Sequence, residues 1–191
     1  KQTPELCMIA VKNNRLALKF VKNQTPAICI IAIENNQAAL KYMINQTFGC
    51  CLLAVIKNGI SIKNVHRHTV KLCMVAIKQN SNSFKCFKIQ SPKICMIAVT
   101  KDGMALRIVK LQTPKICLAA VTNNGNALQY VKKQTPKICL AAIKQNPYTL
   151  KFVKEQTPEI CIAAVNVDGW ALQYVKKQTS EICMAAVKQN G

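Results

Sequence analysis

The chain has 191 residues, half of them hydrophobic but only 5% aromatic, so its core has to be built from aliphatic side chains, alanine and cysteine. Its 27 Lys and Arg against 7 Asp and Glu give a formal charge of +20, and seven scattered acids with two histidines offer no converging nucleophile, base and orienting group. No apolar run exceeds seven residues, Cys50 to Ile56 being one of that length, whereas a membrane-spanning helix needs about 18.

The cysteines reveal the organisation. Cys7, Cys29, Cys51, Cys73, Cys95, Cys117, Cys139, Cys161 and Cys183 each stand 22 residues apart, with no insertion or deletion. A fixed period of this length marks a repeat architecture, in which stacked units share one core. The expected fold is all-α, an α-solenoid of about nine 22-residue helix-turn-helix repeats. The repeats start near residues 3, 25, 47, 69, 91, 113, 135, 157 and 179 and form a single domain over residues 1–191. Polar capping units, usual at solenoid ends, are missing from both ends, which suggests a piece of a longer array or ends that meet a neighbour.

In the first repeat Thr3 stands at an N-cap position and Pro4 at the first helical one, where its missing N–H costs nothing. Leu6, Cys7, Ala10 and Val11 follow at helical spacing, with Met8 and Ile9 extending the apolar surface. The polar Lys12, Asn13 and Asn14 come next. In other repeats the position after Asn or Asp is glycine, at Gly59, Gly103, Gly125, Gly169 and Gly191, which reads as a helix stop in the left-handed conformation. A shorter amphipathic helix then carries Ala17, Leu18 and Val21 on one face and Lys19, Lys22 and Asn23 on the other. Two helices of about ten and eight residues, about 15 and 12 Å long, fill the period.

The second repeat keeps this pattern, and the third keeps it in its buried helix, Cys51-Leu52-Leu53-Ala54-Val55. Over residues 47–90 it drifts: Thr47-Phe48 and Thr69-Val70 replace Thr-Pro, His68 within His66-Arg67-His68 replaces Gln, and Ser83-Phe84-Lys85-Cys86-Phe87 occupies the second helix. From Ser91-Pro92 onward regularity returns, apart from Pro147 in the glycine position and Ser180 in the proline position. Alanine holds one position in all nine repeats, from Ala10 to Ala186, as expected where a methyl group lets adjacent helices approach closely. A leucine-rich repeat has a similar period, but no Leu-x-x-Leu-x-Leu strand is present and the Thr-Pro pairs mark helix starts.

Neighbouring helices pack about 8–10 Å apart and a disulfide needs Cα atoms within about 7 Å, so equivalent cysteines should not pair. They read as small buried hydrophobes in a reducing compartment. Cys50 and Cys86 lie outside the ladder and are the expected exposed thiols. His66 and His68 could form a His-x-His metal pair, but no further ligands stand nearby, and there is no Cys-x-x-Cys. No metal or cofactor is expected.

Gln112-Thr113-Pro114-Lys115-Ile116-Cys117-Leu118-Ala119-Ala120-Val121, its counterparts from Gln134 to Ile143 and from Gln156 to Val165, and the stretch from Asn124 to Val131 carry a resemblance. They are similar to short two-helix repeats classed as a domain of unknown function and abundant in proteins of mimivirus-like giant viruses of amoebae. The resemblance covers nearly the whole chain and is weakest over residues 47–90. It implies an all-helical solenoid, supplies no catalytic residues, and implies an intracellular setting: host cytoplasm, viral factory or virion interior.

The charge points to binding. Between Glu34 and Glu155 the only acid is Asp102, against nineteen Lys or Arg. On the second helices Lys19, Lys41, Lys63, Lys85, Arg107 and Lys151 are equivalent to one another, as are Lys22, Lys88, Lys110, Lys132, Lys154 and Lys176. Being three residues apart, the two positions should share a helix face and form basic rows, and Arg67 adds a further cation within the drifted repeats. The expected function is a non-enzymatic binding or scaffold module for protein partners with acidic surfaces. One alternative is sequence-non-specific binding or packaging of nucleic acid through phosphates; scarce arginine and few tyrosines argue against base reading. Another is a structural component that assembles through uncapped solenoid ends.

Overall fold

Each 22-residue period folds into one ten-residue α-helix and one six-residue 3-10 helix. The computed structural model describes residues 1–190, apart from the side chain of Arg15, and no strand occurs among them. Two compact units are present, Lys1–Ile89 and Gln90 onward. In the first unit α1 (Pro4–Asn13), α2 (Pro26–Asn35), α3 (Phe48–Lys57) and α4 (Val70–Gln79) alternate with the 3-10 helices η1 (Arg15–Phe20), η2 (Gln37–Tyr42), η3 (Gly59–Asn64) and η4 (Ser81–Cys86). In the second, α5 (Pro92–Lys101), α6 (Pro114–Asn123), α7 (Pro136–Gln145), α8 (Pro158–Val167) and α9 (Ser180–Gln189) alternate with η5 (Gly103–Ile108), η6 (Gly125–Tyr130), η7 (Pro147–Phe152) and η8 (Gly169–Tyr174). Within each unit successive α-helices pack on one another, successive 3-10 helices do the same, and the core lies between the two layers.

The starts of the α-helices follow the expected chemistry. Thr3 accepts a hydrogen bond from the Leu6 N–H, Thr113 from Ile116, and Ser91 from Ile94, each satisfying one of the donors a helix start leaves open. The cap survives where proline is absent: Thr47 precedes Phe48, Thr69 precedes Val70 and Thr179 precedes Ser180.

The helix ends differ from expectation. No described residue has positive φ, so the glycines are not left-handed stops; Gly191 lies outside the described residues. The corner is made by the preceding Asn or Asp instead. Asn58, with φ −153° and ψ 111°, gives its N–H to Ala54 O, ending α3, while its side chain accepts the Ile60 N–H, starting η3. One extended Asn thus closes one helix and opens the next. Glycine serves close approach: a Cβ on Gly59 would lie 2.5 Å from Ala76 O, and one on Gly125 2.7 Å from Ala142 O. Pro147, with its fixed negative φ, starts η7 from the same position.

The second helix is also tighter and shorter than the eight-residue α-helix expected. Ala17 N–H bonds Asn14 O at 2.9 Å and Val21 N–H bonds Leu18 O at 3.2 Å, both i to i+3. Six residues at about 2.0 Å each cover about 12 Å, the length that an eight-residue α-helix would span. With three residues per turn the helix directs every third residue inward: Gly59, Ile62 and Val65 are buried, as are Gly103, Leu106 and Val109.

Alanine sits where expected. From Ala32 to Ala186 the equivalent residues are at most 4% exposed, and Ala76, Ala120, Ala142 and Ala186 present their carbonyls to the glycine of the repeat before. Ala10 alone is exposed. All eleven cysteines are free. Burial pushes the Cys29 and Cys73 thiols up to about 11. Cys50 corrects the sequence expectation: it is buried, because it fills the place that Ile28 and Leu72 hold in neighbouring repeats. Cys86 is half-buried.

Candidate binding surface

All thirteen candidate cations, Lys19, Lys22, Lys41, Lys63, Arg67, Lys85, Lys88, Arg107, Lys110, Lys132, Lys151, Lys154 and Lys176, are exposed. They divide between two kinds of local structure. Lys19, Lys41, Lys63 and Lys85 of the first unit, and Arg107 and Lys151 of the second, lie in the last turn of a 3-10 helix. Lys22, Arg67 and Lys88, and in the second unit Lys110, Lys132, Lys154 and Lys176, lie past the helix end, in the bend that leads to the next α-helix. The expected shared helix face does not form, because each 3-10 helix stops two residues before the second lysine.

That bend is held by glutamine, whose role was not read from the sequence although it recurs in the same place in every repeat but the fourth. Gln112 gives its side-chain N–H to Tyr130 O at 2.9 Å and accepts the Lys132 N–H at 3.0 Å. Gln134 does the same with Phe152 O and Lys154, and Gln156 with Tyr174 O and Lys176. Several glutamines also reach back to the preceding 3-10 helix, as Gln24 does to Leu18 O and Gln156 to Leu150 O. Each such amide therefore ties the end of one 3-10 helix to the end of the next. A second clip works at the opposite edge: Asn123 donates to Thr100 O at 3.0 Å and accepts the Gly103 N–H at 2.7 Å.

The lysines of the second unit are ordered further through their ammonium groups. Lys132 donates to Lys110 O at 3.3 Å, Lys154 to Lys132 O at 3.0 Å, and Lys176 to Lys154 O at 3.2 Å. An ammonium has three donors, so one bond to a carbonyl leaves capacity for an outside anion while holding the charge one repeat back along the row. The 3-10 row behaves differently. Lys19 and Lys41 lie 4.6 Å from the ring centroids of Phe20 and Tyr42, and Lys151 lies 5.1 Å from Phe152 and 5.6 Å from Tyr174.

One acid of the second unit, Asp168, is engaged with neutral partners. The Tyr148 hydroxyl donates to the Asp168 carboxylate, and this bond, aided by the Trp170 N–H, holds the Asp168 carboxyl below its usual range. Among the described residues no group of three or more His, Cys, Asp or Glu is arranged to hold a metal ion, and no helix is long and apolar enough to cross a membrane. His66 is exposed, whereas His68 is turned inward as a substitute for glutamine.

A family model described as a domain of unknown function (DUF4116) matches residues 113–156. The match spans two full periods, α6 to η7, and includes Lys132, Lys151 and Lys154. No curated protein and no solved structure matches the chain.

Proposed function

We propose that the chain is a non-enzymatic helical-repeat binding or scaffold module whose lysine rows hold protein partners with acidic surfaces. The observation that carries this reading is the row Lys110, Lys132, Lys154, Lys176, in which three successive ammonium groups are seated on the backbone of the preceding repeat. Cations fixed in advance lose less side-chain entropy on meeting a carboxylate-rich surface than free lysines do, and a surface so poor in acids steers such partners toward it. Eleven free cysteines, most of them buried, support a reducing compartment.

Poly-L-glutamate is the simplest probe. It should bind the whole chain at low salt, weaken steeply as salt rises, and bind several-fold more weakly when Lys132, Lys154 and Lys176 are all replaced by Gln. Equal binding by this variant would remove the row from the reading.

Nucleic acid is a second reading, favoured by the aromatic rings beside the 3-10 lysines: Lys151 lies against both Phe152 and Tyr174, and rings next to cations are what single strands stack upon. DNA and RNA titrations at low salt separate the two, since absence of binding there eliminates the phosphate-binding reading.

A further inference from the structure

The drifted repeats contain a hollow unlike its counterparts. Between the starts of α3 and α4, Ile44, Asn45, Gln46, Phe48, His66 and Arg67 surround a space of about 400 Å³. The equivalent grooves in the second unit measure about 250 Å³ at Pro136 and about 290 Å³ at Pro158. The lining of the hollow also differs in sequence: Phe48 takes the place of proline, and Ile44 and His66 take the places that Lys132 and Lys154 hold at Pro136. The groove carries an aromatic ring that is 43% exposed.

The lip is cationic. Arg67 stands where Glu155 lines the groove at Pro136, and the Lys71 ammonium lies 5.5 Å from the centroid of the Phe48 ring. A bare phosphate has no use for the exposed Phe48 ring, and a neutral aromatic has no use for the two charges. An aromatic ring joined to a phosphate uses both: the ring against Phe48, the phosphate against the planar guanidinium of Arg67 and the ammonium of Lys71. The volume lies within the range of small-molecule sites, roughly 300–1,000 Å³. We infer that this hollow binds a nucleoside phosphate, free or as one unit of a single strand, with the base on Phe48 and the phosphate on Arg67 and Lys71. The inference is separate from the lysine rows of the second unit and stands whether or not they bind acidic proteins.

Calorimetric titration of the full chain with AMP, adenosine, ribose 5-phosphate and a short single-stranded oligonucleotide tests it. AMP should bind at least tenfold more tightly than adenosine or ribose 5-phosphate, and the oligonucleotide distinguishes a free nucleotide from a strand by whichever is preferred. Phe48→Pro restores the residue found at Pro26 and Pro92, so the helix start is retained, and it should remove the preference for AMP over ribose 5-phosphate. Arg67→Glu should abolish AMP binding, whereas Lys188→Glu, in the last turn of α9, should leave it unchanged. The inference is overturned if AMP and ribose 5-phosphate bind alike, if neither AMP nor oligonucleotide binds at millimolar concentration, or if AMP binding survives Arg67→Glu. Should Phe48→Pro fail to fold, Arg67→Glu and Lys188→Glu decide it.

Discussion

His68 Nδ1 accepts the Lys88 N–H at 3.3 Å, taking over the bond that glutamine makes in the other repeats. The exchange is incomplete. Gln46 uses its N–H groups on Leu40 O and Asn64 O while its oxygen accepts the His66 N–H. The buried Nε2 of His68 has no hydrogen-bond partner, and its ring instead lies edge-on to Phe87 with centroids 6.1 Å apart. One clip of the first unit therefore rests on a neutral imidazole nitrogen.

Protonation removes the acceptor, so this clip should depend on pH. Desolvation, reinforced by the nearby Lys88 charge, lowers the His68 pKa, while the Ile62 and Val65 carbonyls oppose the shift. A depressed folded value means that the unfolded chain binds the proton more readily. The contribution of His68 is thus complete above its ordinary value of about 6.5 and is lost as pH falls through the lower folded value. His68→Gln should flatten the fall in melting temperature between neutral and mildly acid pH and slow hydrogen exchange at the Lys88 amide. An unchanged pH profile would show that the bond has no energetic role.

Gln112→Ala should destabilise by about 1–3 kcal/mol, because Tyr130 O and the Lys132 N–H lose their shared partner. Denaturant unfolding gives the magnitude. Amide exchange gives the location: Lys132 should lose protection before residues in the middle of α6.

Two glycines should respond in opposite directions. Gly125→Ala places a methyl 2.7 Å from Ala142 O and should lower the melting temperature. Gly49→Ala meets open space inside the first turn of α3 and should stabilise by about 0.5–1 kcal/mol. The left-handed reading of the Asn-Gly corner predicts a penalty at Gly125 from φ. Here the penalty comes from contact alone: Ala142 O and the Gln145 side-chain oxygen, which accepts the Gly125 N–H, both lie 2.7 Å from the added methyl.

Ala120→Leu should cost about 1–3 kcal/mol through overpacking, since Ala120 is fully buried, whereas Met184→Leu, at a residue 60% exposed, should change stability by no more than about 0.5 kcal/mol. Thermal melts of the two variants compare them directly, and similar midpoints would contradict the close packing around the alanine ladder.

The all-helical class, the period, the Thr caps and the buried cysteine and alanine ladders could be read from residue spacing, because each depends on local hydrogen bonding or on one face recurring at a fixed interval. The exposed cations were legible for the same reason. Tertiary structure decided the rest. The second helix is 3-10 because residues such as Gly59, Ile62 and Val65 must all face the α layer within the length available, a constraint set by the neighbouring layer rather than by propensity. No role could be read from spacing for Gln112 and its equivalents, since their partners lie 18 and 20 positions onward and meet them only when repeats stack. Cys50 looked exposed because it stands outside the cysteine ladder, yet it fills an aliphatic position. The hollow at Phe48 and Arg67 combines residues nineteen apart whose proximity depends on how α3 and α4 pack. Spacing along one chain shows which residues recur; only packing between repeats decides which of them touch.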